Sequence, residues 1–541
     1  MSRTLALALI ASSWMVLTAC GGGSTPPAAP AYPLVQALLP NPDLLACEPF
    51  LYDSSSYPDG VHGQEGGIGF AGPWNDADGD VTERIIGAHT LSVASDMAPS
   101  AAGGRSIQFG TTGTSIFREF AEPFGADGTT IWVSYRWITT DTAAGEGLQV
   151  VDFNGATGGF GCLVGQLRGL AGDDPNDGMV ELGDHASRVS ADIAARDQAA
   201  HFVLLRFTFG AGDADEVACW WDPMLADFET SMPDASIRVS DASFSRITLR
   251  SGSATQADSI DELYIGTTVD AVTTAADHTA VYRVGNSLTW DSQPMGIEAL
   301  AGQAGYLHIQ GHHINCGNTL PNIVANPAQV CVMPVGAFGT WDAALRGSRW
   351  DAVTCQPHPG PGSTLAADEA SILALIAEAR ANAANADARF YVYAAWPGHA
   401  DIQGTWSSLV DDADDTPTIQ ARAYFTHLIR RLRAATDALV YVIPVGEVLF
   451  QLDAKLRAGD VPGLSTIADL YRDDIHLSYD LGRFVAGVTT YATIHARDPR
   501  GLMKPAGWYG GSTGFTPAFL EAVHTCVWDV VSRHPYSGVQ P

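Results

Sequence analysis

The sequence predicts two folded domains of different class, an all-β sandwich followed by an α/β domain with a mostly parallel sheet. Residues 45–274 contain short apolar stretches separated by Gly-, Asp- and Ser-rich turns, without a long helical pattern. Residues 279–541 instead alternate short apolar strands with helical patterns, as β-α-β units do. At 541 residues the chain is long enough to build both cores.

The strands of the first domain are predicted from alternation. Every second residue of segment 131–137 is apolar and therefore shares one face of a strand: Ile131, Val133, Tyr135 and Trp137. Segments 202–209 and 244–250 are also predicted as strands. Many short strands joined by such turns favour a sandwich, and we expect a jelly roll.

The second domain has its own succession of elements. Its predicted strands are 280–284, 306–309, 352–355, 390–394 and 439–442. Its predicted helices are 294–304, 366–384, 418–435, 446–458, 478–496 and 517–532. Because parallel sheets carry their sites beyond the carboxyl ends of the strands, residues directly after these strands are the candidates for function.

The most informative stretch follows the first of these strands, where Gly285, Asn286 and Ser287 form a tight turn before a helix. A serine at such a turn has its backbone N–H near a helix N-terminus, which favours developing negative charge. The same tripeptide also fits an ordinary turn in which Ser287 caps the helix.

A second motif lies before the last long helix of the core, where Asp473 and His476 stand three residues apart on a loop. An aspartate there can orient the imidazole and fix its tautomer, which leaves the other ring nitrogen free to take a proton from a serine. Asp473 and His476, taken together with Ser287, therefore predict catalysis in which the serine is the nucleophile.

Together, Gly-Asn-Ser-Leu and the later Asp-x-x-His resemble the motifs of the SGNH (GDSL-type) hydrolases, over about half of the chain. The resemblance implies a flavodoxin-like α/β/α three-layer domain at residues 279–541. It also implies Ser287 as the nucleophile, His476 as the general base and Asp473 as its orienter. Asn286 stands where the family usually has aspartate.

The resemblance also implies donors for an oxyanion. Ser287 N–H is the first, and Gly317, in the loop after the second strand, is the second, unless it is only a turn glycine. The family's third donor is an asparagine in a Gly-x-Asn-Asp motif, but residues 355–359 read Cys-Gln-Pro-His-Pro. Gln356 and His358 can both donate, or either can merely line the pocket.

The first residues predict export. A short basic start, an apolar run and Leu-Thr-Ala-Cys ending at Cys20 indicate a bacterial lipoprotein signal peptide at residues 1–19. We expect cleavage before Cys20, lipidation of its thiol, and a flexible tether over residues 20–44. This predicts an exported protein of the cell envelope whose only membrane contact is the lipid anchor.

The net charge and the cysteines indicate which partners, disulfides and metal sites are expected. The net charge of −31 argues against nucleic acid or an anionic membrane surface as partner. Among the cysteines left after lipidation, the pairs Cys162–Cys219 and Cys316–Cys331 are plausible disulfides in an oxidising compartment. No cysteine spacing suggests zinc, and we expect neither a metal nor another cofactor.

The first domain more weakly resembles concanavalin A-like or laminin-G-like modules. The resemblance depends on its many short strands separated by turns and on its closing strand at 261–266. Trp220 and Trp221 offer a surface for a sugar ring, although neighbouring strand residues point to opposite sides, so we expect one of them in the core. Residues 76–80 alternate acids around a turn, as calcium loops do, but lack the bidentate glutamate, which favours solvated acids.

Three further features have structural explanations. Residues 510–514 fit Gly-x-Ser-x-Gly, but no strand precedes them, so a turn is expected. His308, His312 and His313 lack supporting carboxylate or cysteine ligands and are expected to line a pocket or the surface. Trp396 either walls the substrate cleft or caps the core.

These observations predict an exported serine esterase that hydrolyses acyl esters on carbohydrate, with O-acetyl groups as the expected substrate by analogy. One alternative is a surface carbohydrate-binding lipoprotein whose hydrolase-like domain is catalytically impaired, since the Gly-x-Asn-Asp motif is missing. Another is an acyltransferase that uses the same site residues.

Overall fold

The structure is a computed structural model. It describes residues 32–35, 41–50, 67–76, 84–87, 91, 93–99, 106–109, 115–138, 149–154, 161–166, 177–183, 188–195, 199–211, 215–228, 230–239, 243–251, 259–275, 277–335, 338–505, 508 and 514–541. The predicted signal peptide, Cys20, residues 77–80 of the acidic turn and residues 509–513 lie outside this description.

The N-terminal region is built from antiparallel strands. They are β1 (Leu44–Glu48), β2 (Asn75–Asp76), β3 (Arg84–Gly87), β4 (Ser106–Phe109), β5 (Ser115–Phe124), β6 (Thr130–Ile138), β7 (Gln149–Asn154), β8 (Gly161–Gln166), β9 (Asp177–Gly183), β10 (Arg188–Ala195), β11 (Ala200–Thr208), β12 (Asp215–Trp221), β13 (Ala235–Val239), β14 (Phe244–Ser251) and β15 (Ser259–Gly266). Two short helices accompany them, α1 (Leu225–Phe228) and α2 (Val269–Thr273).

These strands form two sheets that share one core. The first sheet has the order β13-β12-β11-β6-β15-β4-β3, with β1 beside β15, and the second has the order β10-β9-β8-β7-β14-β5-β2. The alternating residues predicted to share a face of β6 all lie in the common core: Ile131, Val133, Tyr135 and Trp137. The alternation therefore predicted the buried face correctly, because strand side chains point to the two faces in turn.

The opposite face of the first sheet is also covered. Tyr264 of β15 lies in a second apolar cluster with Val272 of α2 and Leu307 of the α/β region. Gly302 approaches the backbone of the N-terminal region so closely that an added Cβ would lie 2.2 Å from the carbonyl oxygen of Gly67. The two regions are therefore packed against each other rather than joined by an open linker.

The C-terminal region contains a parallel sheet. Its strands are β16 (His278–Gly285), β17 (Leu307–Ile314), β18 (Ala352–Cys355), β19 (Arg389–Tyr393) and β20 (Leu439–Ile443). Their spatial order is β17-β16-β18-β19-β20, so the second strand lies outside the first. In such doubly wound sheets the strand order reverses beside the first strand, and ligands bind at the carboxyl ends there.

Helices cover both faces of this sheet. They are α3 (Ser287–Trp290), α4 (Pro294–Gln303), α5 (Leu320–Ala325), α6 (Trp341–Gly347), α7 (Leu365–Arg380), α8 (Ile402–Trp406), α9 (Arg422–Ala435), α10 (Val445–Ala458), α11 (Leu481–His495) and α12 (Pro517–Arg533), with 3-10 turns at Ala383–Asn385, His399–Asp401 and Ile467–Leu470. Helices α5, α6, α7 and α9 share the core of one face. On the other face α11 contacts α4, α10 and α12, and every residue of α11 is buried.

Most predicted elements of the C-terminal region occur within a few residues of their predicted bounds, but the short helices α3, α5, α6 and α8 were not predicted. Each of these spans only four to seven residues, too few for a helical apolar pattern to stand out. Across the residues that the structure describes, no helix has the length and apolar character needed to cross a membrane.

Candidate active site

The turn that carries Ser287 connects β16 to the short helix α3. Asn286 is the N-cap of this helix, and its side-chain oxygen accepts a hydrogen bond from Leu288 N–H at 3.0 Å. Its amide nitrogen donates to the carbonyl oxygen of Asn318 at 3.0 Å. An aspartate in place of Asn286 has no N–H to donate there, which gives a local reason for the asparagine.

The structure brings the three predicted catalytic residues together in one hydrogen-bonded chain. Ser287 Oγ lies 2.9 Å from His476 Nε2. His476 Nδ1 lies 2.9 and 3.0 Å from the two carboxylate oxygens of Asp473. These distances are those of hydrogen bonds. In this arrangement the imidazole can take a proton from the serine hydroxyl, and the carboxylate orients the imidazole without taking the proton itself.

Asp473 is held in its ionised form, and half of its side chain is exposed to water. Its Oδ1 accepts hydrogen bonds from the N–H groups of His476 at 2.8 Å and Ile475 at 3.0 Å. Partial desolvation raises the pKa of Asp473, but these bonds and the contact with the imidazole outweigh it, so the pKa lies below its ordinary value. The carboxylate can therefore orient the imidazole at neutral pH.

The loop carrying Asp473 and His476 is supported by the segment after β19. Trp396 is fully buried, and its Nε1–H donates to the carbonyl oxygen of Ile475 at 2.7 Å. His399 N–H donates to the carbonyl oxygen of Asp474 at 3.1 Å. Of the two predicted roles, a place in the core rather than in the wall of a cleft fits this burial, and the indole N–H of Trp396 also supports the loop that carries His476.

A buried carboxylate that the sequence did not single out joins this loop to the nucleophile turn. Asp291 directly follows α3, and its backbone N–H donates to the carbonyl oxygen of Ser287 at 3.0 Å. Its side chain accepts hydrogen bonds from Arg472, Arg483 and the N–H of Leu477. The sequence shows only that Asp291 lies four residues after Ser287. Because aspartates are common at helix ends, that spacing alone does not indicate a buried carboxylate.

Gln356 lies beneath the nucleophile turn. Its side-chain oxygen accepts hydrogen bonds from Asn286 N–H at 3.1 Å, Thr289 N–H at 3.1 Å and the Thr289 hydroxyl at 2.7 Å. Its Nε2 is buried and has no hydrogen-bond partner among the described residues. This geometry does not support the predicted role of Gln356 as an oxyanion donor, because the group that faces the turn is an acceptor.

The close approach of Gln356 also explains the first residue of the motif. An added Cβ on Gly285 would lie 2.1 Å from Thr289 Oγ1 and 2.8 Å from Gln356 Oε1. Such contacts are far shorter than real side-chain carbons show, so a side chain at this position would displace the hydrogen-bonded oxygens. Gly285 is therefore required by the support of the turn.

Gly317 lies in an exposed loop after β17 and has a φ of +69°, a conformation that favours glycine. The loop is fixed by the disulfide between Cys316 and Cys331, which the sequence predicted. The neighbouring Asn318 carbonyl is the one that accepts from Asn286, so this loop borders the nucleophile turn. An added Cβ on Gly317 would meet nothing within 4 Å, so its positive φ, rather than a close contact, is the reason for glycine here.

His358 follows β18 and is partly buried beside the base. Burial lowers the pKa of its imidazole, and the charge of His476 lowers it further, so His358 is neutral at neutral pH. Its Nδ1 has no hydrogen-bond partner within the described part of the chain. A neutral imidazole has one N–H to donate, which keeps His358 as the candidate for the third donor.

The histidines of β17 are all buried, which differs from the expectation of pocket or surface residues. His308 Nδ1 lies 3.0 Å from Nε2 of His495, and burial lowers the pKa of His495 to about 3. His312 Nε2 lies 2.9 Å from the carbonyl oxygen of Met333. Among the described residues, no group of three or more His, Cys, Asp or Glu side chains is placed to hold a metal ion.

The two tryptophans proposed for sugar stacking pack inside the N-terminal region. Trp220 is buried and stacks on Trp132 with a centroid distance of 5.7 Å. Trp221 lies on the other face of β12, where it packs against the edge of Trp137 at 5.3 Å. The expectation that one of them lies in the core is met by Trp220.

The side chain of Cys162 lies outside the description, so its disulfide with Cys219 stays a prediction.

Comparisons with known proteins give only distant similarities. No family model matches the sequence, and no curated protein matches it. A solved DUF4886 family protein from Bacteroides uniformis is similar at 18% identity and a TM-score of 0.32, over 47% of this chain and 95% of that one. The globular domain of T. cruzi calreticulin is similar at 11% identity and a TM-score of 0.26, over 37% and 86%. A carbohydrate esterase from the Shiga toxin-encoding bacteriophage phi24B is similar at 12% identity and a TM-score of 0.21, over 35% and 94%.

Proposed function

We propose that this protein is a serine esterase of the SGNH type that hydrolyses acyl esters on carbohydrate. The observation that supports the proposal is the unbroken chain from Ser287 Oγ through His476 to Asp473, at 2.9 Å and 2.9 Å. The strand order 2-1-3-4-5 of the parallel sheet agrees with the flavodoxin-like domain that the resemblance implies.

The geometry suits acyl transfer to serine. His476 Nε2 removes the proton as Ser287 Oγ attacks the ester carbonyl carbon, and the carbonyl π electrons move to oxygen. When the tetrahedral intermediate collapses, the alcohol leaves with the proton from His476. Water, deprotonated by the same imidazole, then attacks the acyl-enzyme, and the carboxylic acid is released while Ser287 regains its proton.

The oxyanion of the intermediate needs N–H donors near Ser287 Oγ. We propose the backbone N–H groups of Ser287 and Gly317 for two of them. His358 is proposed for the third, because it is neutral and interacts electrostatically with His476. Gln356 contributes indirectly, since it holds the turn from which Ser287 projects.

An exposed tyrosine beside the base favours a carbohydrate as the alcohol part of the substrate. Tyr479 lies three residues after His476, and its side chain is 45% exposed. The guanidinium carbons of Arg472 and Arg483 lie 4.6 and 4.7 Å from the centre of its ring. These arginines restrain the ring, and a sugar face can stack on an exposed aromatic ring of this kind.

The proposed setting is the bacterial cell envelope, with the protein exported and tethered through lipidated Cys20. The test uses the soluble protein lacking residues 1–33, a short-chain aryl ester and an acetylated polysaccharide. Ser287→Ala should lower kcat at least about a thousandfold, because the nucleophile is lost. Ser292→Ala is the matched control, since the Ser292 hydroxyl donates to the carbonyl oxygen of Thr289 rather than to His476.

The alternatives predict different outcomes. Acetate release by the wild type and by Ser292→Ala, but not by Ser287→Ala, supports the esterase. A wild type that binds the polysaccharide and cleaves neither ester favours the catalytically impaired binding lipoprotein. Transfer of the acyl group to an added sugar in preference to water favours the acyltransferase. A fully active Ser287→Ala variant would show that another residue is the nucleophile.

A further inference from the structure

Asp291 is a buried carboxylate with a complete set of partners. Its side chain is fully buried. Oδ1 accepts hydrogen bonds at 2.9 Å from Arg472 Nη1 and from Arg483 Nε, and Arg483 Nη2 also lies 2.9 Å from it. Oδ2 accepts the N–H of Leu477 at 2.9 Å. A buried charge is tolerated only when it is paired and hydrogen-bonded in this way.

The partners of Asp291 bracket the base motif. Arg472 directly precedes Asp473, and Leu477 directly follows His476. Arg472 also closes the loop on itself, because its backbone N–H donates to the carbonyl oxygen of His476 at 3.0 Å and its Nη1 donates to that of Leu477. Both ends of the loop are therefore fixed to a single carboxylate.

The position of this carboxylate relative to the nucleophile is fixed as well. Asp291 lies one helical turn after Ser287, whose carbonyl oxygen accepts the Asp291 N–H at 3.0 Å. In contrast, Asp473 and His476 have 50% and 28% of their side chains exposed, so burial does little to hold them in place. The distance from imidazole to serine thus depends on how the loop is attached to α3.

We propose that Asp291 is a positioning residue that sets the distance between His476 and Ser287, an inference that rests on the proposed esterase function. Asp291 acts through the loop and touches no reacting atom. Without its charge, the neighbouring guanidinium groups of Arg472 and Arg483 repel each other, and Leu477 N–H loses its acceptor. The loop then moves away from α3 and takes the imidazole with it.

The variants Asp291→Ala and Asp291→Asn test this role. A displacement of about 1 Å at a reacting group costs about a hundredfold in rate, so we expect Asp291→Ala to lower kcat by about that factor with little change in KM. Asp291→Asn keeps one oxygen for the arginines and should lose about tenfold. The rate of covalent labelling of Ser287 by a fluorophosphonate should fall in parallel.

Asp351→Asn is the matched control. Asp351 also accepts hydrogen bonds from a backbone N–H, that of Ala280 at 2.8 Å, and from an arginine, Arg349 at 3.1 Å. It directly precedes β18, at the opposite end of the parallel sheet from Ser287. This variant should keep the wild-type kcat and labelling rate, although it removes a comparable carboxylate.

A double-mutant cycle separates positioning from a general loss of structure. If Asp291 acts through His476, adding Asp291→Ala to a His476→Ala protein should not lower the residual aryl-ester activity further. The reason is that the effects of mutations on activity are not additive when two residues act as one unit. A further hundredfold loss in that background, or wild-type labelling of a folded Asp291 variant, would overturn the inference. A wild type that cleaves no ester and does not react with the fluorophosphonate would instead refute the proposed function itself.

Discussion

Replacing Gln356 by methionine tests whether this residue supports the nucleophile turn. Methionine fills a similar volume but leaves two buried N–H groups, those of Asn286 and Thr289, without the oxygen that accepts them. Each stranded donor costs about 1–3 kcal/mol, or about 2–6 kcal/mol for both. Removing the unpartnered Nε2 offsets about 1–2 kcal/mol, which leaves a net loss of about 3 kcal/mol in the free energy of unfolding.

The measurements are denaturant unfolding and kcat on an aryl ester. Because Ser287 lies between the two stranded donors, we expect the loss of stability to be accompanied by a fall in kcat of at least about tenfold. Gln420→Met is the control, since Gln420 is a buried glutamine that makes no hydrogen bond to this turn. Unchanged stability with a large fall in kcat would refute the reasoning and restore Gln356 as an oxyanion donor.

Three further predictions concern the surroundings of the site. Trp396→Phe removes the hydrogen bond to Ile475 and should lower kcat about tenfold while the fold is retained. Replacing Cys316 and Cys331 by serine should lower the free energy of unfolding by about 3 kcal/mol, because the disulfide joins residues 15 positions apart. The same replacement should lower kcat, and a reductant should lower kcat of the wild type to the same extent. Burial raises the pKa of Asp368 to about 6, although the hydrogen bonds that the carboxyl accepts lower it in part. The protonated carboxyl therefore contributes stability that is fully present below pH 3.8 and is lost as pH rises through about 6. Between pH 4 and pH 8 the free energy of unfolding should therefore fall less in Asp368→Asn than in the wild type. The difference between the two falls should be up to about 3 kcal/mol.

Each of these predictions has a control. Trp341→Phe removes another buried indole, whose Nε1 has no partner among the described residues, and should leave kcat unchanged. Reductant should have no effect on the double serine variant, and an effect there would show that the disulfide is not responsible. Parallel loss of stability with pH in the wild type and Asp368→Asn would contradict the assignment to that carboxyl.

The sequence by itself determined the features that depend on local pattern. Alternation identified the core face of β6, because side chains of a strand point to its two faces in turn. The Gly-Asn-Ser turn and the Asp-x-x-His loop were recognisable because each packs several chemical groups into a few residues. The Cys316–Cys331 pair was also predictable, since its partners are separated by only 15 residues.

The tertiary structure alone decided what surrounds these motifs. Gln356 meets Asn286 across 70 residues, and Arg472 meets Asp291 across 181. Such contacts leave no periodic trace, because an isolated Gln, Asp or Trp in a sequence has the same appearance at a surface and in a buried network. Whether the oxygen of Gln356 faces the nucleophile turn, and whether Asp291 holds the loop of the base, depends on how separate β-α units pack, which only the folded chain specifies.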